Sequence, residues 1–205
     1  HYPLRRQRQM CIRDRKKLYG YLVHHFEFYQ SHPQLWEKMK DLKAEGKIDK
    51  IGFSLYNTDQ LQYLLDNEVV FDVLQFPYNL FDRQFDTYLL YLKQCGVEIH
   101  TRSVFLQGLF FKNVRKLTDK LLPMKKYLEK LHEYCGISGI SMEQLALNYV
   151  VSHPNIDGVL IGVDNCQQLQ ANVDALQNGL RQEDIDFISS INVSEKELLN
   201  PVNWK

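Results

Sequence analysis

Short apolar strands that each run into polar residues, with a helical pattern after nearly every one, constrain this chain more than any single motif. Leu18 to His24 ends in a histidine, Ile48 to Ser54 in a serine and Phe71 to Gln75 in a glutamine. Val97 to Ser103 ends in an arginine and a serine, and Ile156 to Ile161 runs into Gly162 and Asp164. Strands alternating with helices indicate βα units, and right-handed crossovers then make the sheet parallel. In such a sheet the carboxyl ends of the strands share one rim, where sites are built. His24, Ser54, Gln75, Arg102, Ser103 and Asp164 are therefore expected to face one pocket. The pattern alone leaves a barrel and a doubly wound sheet open. The short strands and the polar rim favour a barrel.

The helical segments carry their own punctuation. Ser31-His-Pro-Gln34 has the form of a capping box with proline just inside the helix. Leu35, Met39 and Leu42 then recur on one face until Gly46. Further helices are expected from Asn57 or Thr58, from Asp82 to Cys95 and from Leu121 to Cys135. A second capping box, Ser141-Met-Glu-Gln144, opens a helix that ends near His153-Pro154, and Cys166 to Asn178 and Gln182 to Ile191 complete the set. The leucine and methionine stripes on these segments are core faces rather than cofactor boxes.

The chain has 205 residues, enough for one domain with a sizeable core. A full (β/α)₈ barrel takes about 250 residues and eight strands, whereas five strands are legible. The expectation is an incomplete barrel, a reading frame cut upstream. Residues 1–17 form a basic, glutamine-rich segment without period, expected to be disordered or artefactual, ahead of a domain over 18–205. Lysine plus arginine number 25 against 25 aspartate plus glutamate, which gives no nucleic-acid footprint. Cys11, Cys95, Cys135 and Cys166 are scattered, with no CxxC pair. They are expected to be small buried or half-buried thiols. The apolar runs fall short of a membrane span of about 20 residues. A cytoplasmic protein without membrane or nucleic-acid partners is the expectation. Strands at the two ends of a partial sheet would leave edges that invite self-association.

No HExxH, Cys/His/Asp cluster, GxGxxG, P-loop or Gly-x-Ser-x-Gly elbow is present, so no metal is expected. His24 and His25 point to opposite faces of a strand. One can reach a pocket while the other packs into the helical shell, and His24 is placed to give a hydrogen bond or proton to a developing oxyanion. Ser54, Gln75 and Asn79 are uncharged donors and acceptors, suited to an amide-bearing ligand such as a nicotinamide. Hydrogen bonding to loop backbone is the competing account of each. Tyr78 and Phe105 offer flat apolar contact, and Phe26, Phe28, Tyr29, Phe110 and Phe111 would line an aromatic mouth. Gly162-Val-Asp-Asn165 precedes a helix start, a natural phosphate site, where Asp164 would repel phosphate and accept from a ribose hydroxyl.

Taken together, these segments resemble the later part of an aldo-keto reductase. Tyr21-Leu-Val-His24 resembles that family's strand ending in the catalytic histidine. Glu45-Gly-Lys-Ile-Asp-Lys-Ile-Gly-Phe-Ser54 resembles its glycine-lysine-isoleucine segment with the following Gly-x-Ser. Gln75-Phe-Pro-Tyr-Asn79, Ser103-Val-Phe-Leu-Gln-Gly-Leu109 and Gly162 to Asn172 resemble its glutamine strand end and two cofactor segments. Residues 99–109 are most similar to a bacterial branch associated with surface-sugar pathways. The resemblance implies a TIM barrel, here strands four to eight. It implies hydride transfer between NADP, alternatively NAD, and a small carbonyl compound, without metal.

By the same resemblance His24 polarises the carbonyl, and Ser54 and Gln75 hold the carboxamide. Arg102 stands where a ring-stacking aromatic is usual. Ser103, Leu106 and Gln107 lie along the pyrophosphate, and Gly162, Asp164, Asn165, Gln168 and Asn172 belong to the adenosine end. Leu55 replaces the usual asparagine, so one carboxamide partner is missing or is supplied by Asn57. The family's aspartate, tyrosine and lysine have no counterpart, and Tyr2 and Lys16 sit in no matching motif. A reductase inactive as this chain is therefore expected. A non-catalytic binding protein on the same scaffold is the alternative. A phosphate-binding lyase or isomerase barrel loses because the strand ends lack a lysine or paired carboxylates.

Overall fold

The computed structural model describes residues 17–204; the expectations for residues 1–16, with Tyr2, Cys11 and Lys16, lie outside the described residues. The described chain falls into two compact units, residues 17–75 with 92–98, and residues 76–91 with 99–204.

In the first unit β1 (Leu18–Val23), β2 (Ile48–Ser54) and the opening residues of β3 (Val73–Pro77) run parallel. Leu18 stands opposite Ile48 and Val23 opposite Phe53; Gly52 stands opposite Val73 and Ser54 opposite Gln75. Parallel neighbours need a crossover. Helices α1 (Phe26–Ser31) and α2 (Gln34–Ala44) supply the first, and α3 (Thr58–Asp66) the second. Phe53 is the centre of the core. Trp36 stacks on it at 4.5 Å, with Tyr29 at 5.0 Å and Phe71 at 5.9 Å edge-on. Each such pair adds about 0.5–1.5 kcal/mol beyond area burial.

In the second unit β4 (Glu98–Arg102), after its first residue, pairs in parallel with β5 (Gly158–Val159), His100 opposite Gly158 and Thr101 opposite Val159. Helix α4 (Asp86–Gln94) begins in this unit; α5 (Lys125–Ser138), α6 (Met142–Val151), α7 (Cys166–Ala175) and α8 (Gln182–Ser190) lie within it. Phe76 stacks on Phe85 at 4.1 Å, Phe81 meets Phe110 edge-on at 5.0 Å, and Tyr134 stacks on Phe187 at 3.8 Å. Arg83 ties α8 down by donating to the carbonyls of Ile188, at 3.1 Å, and Ile191.

Two strands open with one device. Asp72 donates its amide to Ile51 O at 2.9 Å and accepts Ile51 N on Oδ2 at 2.9 Å. Asp157 does the same with Ile99, at 2.8 and 2.7 Å. A carboxylate thus stands in for a backbone carbonyl where each ladder starts. The device sets the start of β5, which spans Gly158–Val159 rather than the expected run from Ile156 to Ile161.

Several local expectations are corrected. Ser31 does not cap a following helix: it ends α1, its Oγ donating back to Glu27 O and Phe28 O, and Pro33 holds the cap position of α2. Helix α4 starts at Asp86 rather than Asp82, because Asn79 Oδ1 accepts Phe81 N and Asp82 N and folds that segment into a side-chain-closed turn. Helix α5 runs through Gly136 to Ser138 and stops at Gly139, whose φ of 73° is left-handed. Its expected first residues form a 3₁₀ turn, Asp119–Met124. Ser141 Oγ does accept Gln144 N at 3.0 Å, but Gln144 Nε2 reaches Asn178 O instead of closing the box. Cys95 and Cys166 are exposed, and only Cys135 is half-buried, its thiol pushed up to about 11 by burial. Among the described residues no helix is long and apolar enough to cross a membrane.

Candidate active site

In the first unit the end of β2 and the end of β3 bring Ser54 and Gln75 side by side. Their in-register pairing places Ser54 Oγ 3.1 Å from Gln75 Oε1, to which it donates. Leu55 N also donates to Gln75 O at 2.8 Å. Ser54 is buried and Gln75 half-buried, so the pair is a fixed polar end on an apolar strand. The Gln75 amide nitrogen remains a donor and the Ser54 oxygen an acceptor, a complement to a carboxamide. Asn57, the alternative carboxamide partner in place of Leu55, has its side-chain oxygen committed locally. It caps α3, its Oδ1 accepting Gln60 N at 3.0 Å, and Leu55 is fully buried.

His24 lies just past β1, exposed, its ring 4.9 Å from His25 and 6.4 Å from Tyr56. His25 is exposed as well, at the cap position of α1, and does not pack into the helical shell as expected. The other rim of this unit carries Tyr19, Lys50 and Glu98, with the Tyr19 hydroxyl 2.5 Å from Glu98 Oε2 and Lys50 paired to the same oxygen. These residues stand at the starts of their strands, opposite the Ser54 end.

In the second unit a cleft of about 990 Å³ lies between the loop after β4 and the segment leading into α7. It falls at the upper end of the usual range for ligand sites, about 300–1,000 Å³. Its lining includes Arg102, Ser103, Gln107, Gly162, Asp164, Gln168 and Asn172. Leu106 and Asn165, expected beside them, are not in the lining. Leu106 is fully buried, and Asn165 caps α7 through Gln168 N at 2.9 Å.

The loop after β4 is bent by four left-handed residues. Ser103, Leu106, Gln107 and Gly108 have φ of 62°, 46°, 50° and 75°. Left-handed backbone is uncommon for residues other than glycine, and held strain of this kind collects at ligand clamps. Buried Asn79 holds the turn by donating from Nδ2 to Ser103 O at 3.1 Å. Asn79 therefore has the backbone role. Arg102 enters the cleft from the end of β4, with Nη1 3.4 Å from Ser103 Oγ. Asp82, buried nearby, is pushed up to about 6 by desolvation, an effect that the Gln84 side chain and amide, then Lys196 and Arg102, oppose.

The aromatic mouth is only partly present. Phe26, Tyr29 and Phe110 belong to the core, and Tyr78 is buried with its hydroxyl 2.6 Å from Asp86 Oδ1. Phe28 is exposed and stacks on His32 at 4.2 Å in the first unit. Phe105 and Phe111, 5.2 Å apart, line the cleft in the second. The sequence pattern did not point to Glu143, Gln167 and Ala171 in the cleft wall. Gln167 and Ala171 had a signal: with Asp164, Gln168 and Asn172 they recur at the helical spacing of three and four. Glu143 comes from another helix and had none. Among the described residues no group of three or more histidine, cysteine, aspartate or glutamate side chains could hold a metal ion.

Parallel strands joined by helices, with polar groups at the strand ends, define an α/β protein built on part of a (β/α)₈ plan. Solved structures agree. Aldo-keto reductase AKR11C1 from Bacillus halodurans, apo form, superposes with a TM-score of 0.68 at 18% identity, covering 91% of this chain and 70% of that one. The chain belongs to the aldo/keto reductase family, whose model matches residues 5–193. The NADH-specific methylglyoxal reductase of Escherichia coli is 25% identical over 162 residues, 71% of this chain and 49% of that protein. The L-galactose dehydrogenase of Arabidopsis thaliana is 27% identical over 174 residues, 80% and 54% respectively. The chain spans about half the length of the curated relatives it matches.

Proposed function

We propose that the whole protein reduces an aldehyde or ketone, of sugar type by its branch resemblance, to an alcohol with NADH or NADPH. The observation that carries this is the cleft of the second unit: seven of the eleven residues that the family resemblance assigns to cofactor line it, beside a left-handed loop. Each unit by itself carries groups suited to part of such a molecule. In the first, Ser54 and Gln75 suit a carboxamide; in the second, Ser103 and Gln107 suit a pyrophosphate and Asp164, Gln168 and Asn172 a ribose and adenine. When bound, the reduced nicotinamide supplies a hydride. His24, exposed at the strand end, donates a hydrogen bond to the carbonyl oxygen and so favours the negative charge that develops there. The buried Ser54–Gln75 pair fixes orientation, because a half-buried amide with one partner already set has few other poses.

In the whole enzyme, replacing His24 with alanine should lower turnover about 10²–10⁴-fold, with replacement of His25 costing far less. Equal losses in folded protein would refute the role. The present chain alone should not turn over simple aldehydes, since no tyrosine–lysine proton donor is assigned in it. Turnover within about tenfold of a full-length relative would refute that. Titration with both reduced cofactors, followed by nicotinamide fluorescence, separates the enzyme from a non-catalytic scaffold: binding of neither would remove the oxidoreductase reading.

A further inference from the structure

We infer that the cleft selects NADH over NADPH, with Asp164 and Glu143 as the residues that exclude a 2′-phosphate. The inference rests on the cofactor reading and sharpens it. The charged residues among the cleft's described lining are Arg102, Glu143 and Asp164. The cation stands at the end of β4, beside Ser103 of the left-handed loop. The two carboxylates belong to the other elements, Glu143 to the first turn of α6 and Asp164 to the segment before α7. Helix α7 itself, Cys-Gln-Gln-Leu-Gln-Ala-Asn-Val-Asp-Ala, carries no lysine or arginine.

A helix start can still hold a phosphate through its unpaired amides. Here the third amide of the helix and the amide of Asp164 are taken from within. Asn165 Oδ1 accepts Gln168 N at 2.9 Å, and Gln168 Oε1 accepts Asp164 N at 2.8 Å. An anion in this cleft meets two carboxylates, Glu143 and Asp164, against one cation, Arg102, with fewer amides at the helix start left to hold it. A ribose meets the opposite situation. Its hydroxyls are donors, and a carboxylate such as Asp164 is the natural acceptor, just as acidic side chains take the ribose 2′-hydroxyl in other dinucleotide sites and cations take the 2′-phosphate. A dianionic phosphate near two carboxylates is disfavoured even in a water-exposed cleft.

The test is direct binding of NADH and of NADPH to the purified chain at low ionic strength, followed by nicotinamide fluorescence. NADH should bind at least about tenfold more tightly. Rising salt should shrink the ratio, because exposed charges are screened. A double variant, Asp164→Asn with Glu143→Gln, should bring the ratio toward unity, mainly through tighter NADPH binding. Asp164→Glu should keep the preference. Circular dichroism of each variant shows whether it is folded. NADPH binding as tight as NADH in the unaltered chain would overturn the inference while leaving the cofactor reading intact. So would an unchanged ratio in a folded double variant. Binding of neither cofactor would remove the cofactor reading itself, and the preference with it.

Discussion

The turn after β2 and the turn after β5 are built with the same local code and end up mechanically unlike. In the first, Asn57 accepts Gln60 N at 3.0 Å and Gln60 Oε1 accepts Tyr56 N at 2.7 Å. In the second, Asn165 accepts Gln168 N at 2.9 Å and Gln168 Oε1 accepts Asp164 N at 2.8 Å. The strands before them differ. β2 has seven residues, with Ile51 to Ser54 buried; β5 has two, both half-buried. The helices after them differ too. α3 buries Leu61 and Leu64, whereas α7 buries only Asn172 and leaves Leu169 and Val173 in solvent. The cap decides where a helix begins. How firmly it is held is decided by what the strand and helix bury. A fixed pair, Ser54 with Gln75, results in one unit, and an open cleft in the other.

The strand glycines give the largest expected contrast. A Cβ on Gly52 would lie 1.7 Å from the Val73 carbonyl oxygen and 2.7 Å from its carbon, both backbone atoms that can move only if β2 and β3 separate. Gly52→Ala should cost more than about 4 kcal/mol or abolish folding of the first unit. A Cβ on Gly158 would meet His100 at 2.8 Å, but through ring atoms that can swing away. Gly158→Ala should cost about 1–2 kcal/mol. Urea denaturation of the two variants checks this. Equal costs would show that the strands of the two units are held alike.

Titration offers the next contrast. Among the described residues, buried carboxylates occur only in the second unit, at Asp82 and Asp184. Burial lifts Asp82 to about 6, while the Arg181 side chain, with Tyr134 assisting, holds Asp184 down near 2. With its folded pKa above the unfolded value, Asp82 contributes stability that is full below about 4 and is lost as the pH rises through about 6, about 3 kcal/mol in all. Asp184 acts in the reverse sense, stabilising above the ordinary carboxylate pKa and losing that contribution as the pH falls toward 2. Asp82→Asn should flatten the stability curve between about pH 4 and 7 and leave the acid limb in place. Chemical denaturation across pH reads it. A wild-type curve already flat in that window would contradict the shift at Asp82.

These contrasts mark what the sequence could and could not tell. Apolar runs and their spacing locate the five strands of the described residues, and in β2, β3 and β4 burial imposes that composition directly. The asparagine caps at 57 and 165 follow from residue type and offset, so Asn57 and Thr58 were legible as a helix start. The strand starts at Asp72 and Asp157 were not, because an aspartate that completes a ladder looks the same in sequence as one in a loop. The misplaced start of α4 has the same origin: Asn79 commits its side chain to local amides, a choice made by the fold rather than by composition. In the site, Ser54 beside Gln75 was legible from two strand ends. Glu143 in the cleft wall was not, since only tertiary packing brings the start of α6 there.

The smallest effect isolates the cap itself. Asn57→Ala and Asn165→Ala each remove one acceptor for the third amide of a helix, and such a loss typically costs about 1 kcal/mol, within about 0.5–2. If the cap is a purely local device, the two losses should agree within about 0.5 kcal/mol although one helix is packed and the other exposed. Their consequences should still diverge. Removing the cap on α3 leaves Leu61 and Leu64 to hold the helix, so hydrogen exchange there should rise only in the first turn. Helix α7 has Asn172 alone buried, so the same change should raise exchange along its whole length. Uniformly slow exchange through α7 in Asn165→Ala would mean that packing other than the burial of Asn172 secures the helix, and the division into a fixed and a yielding turn would fail.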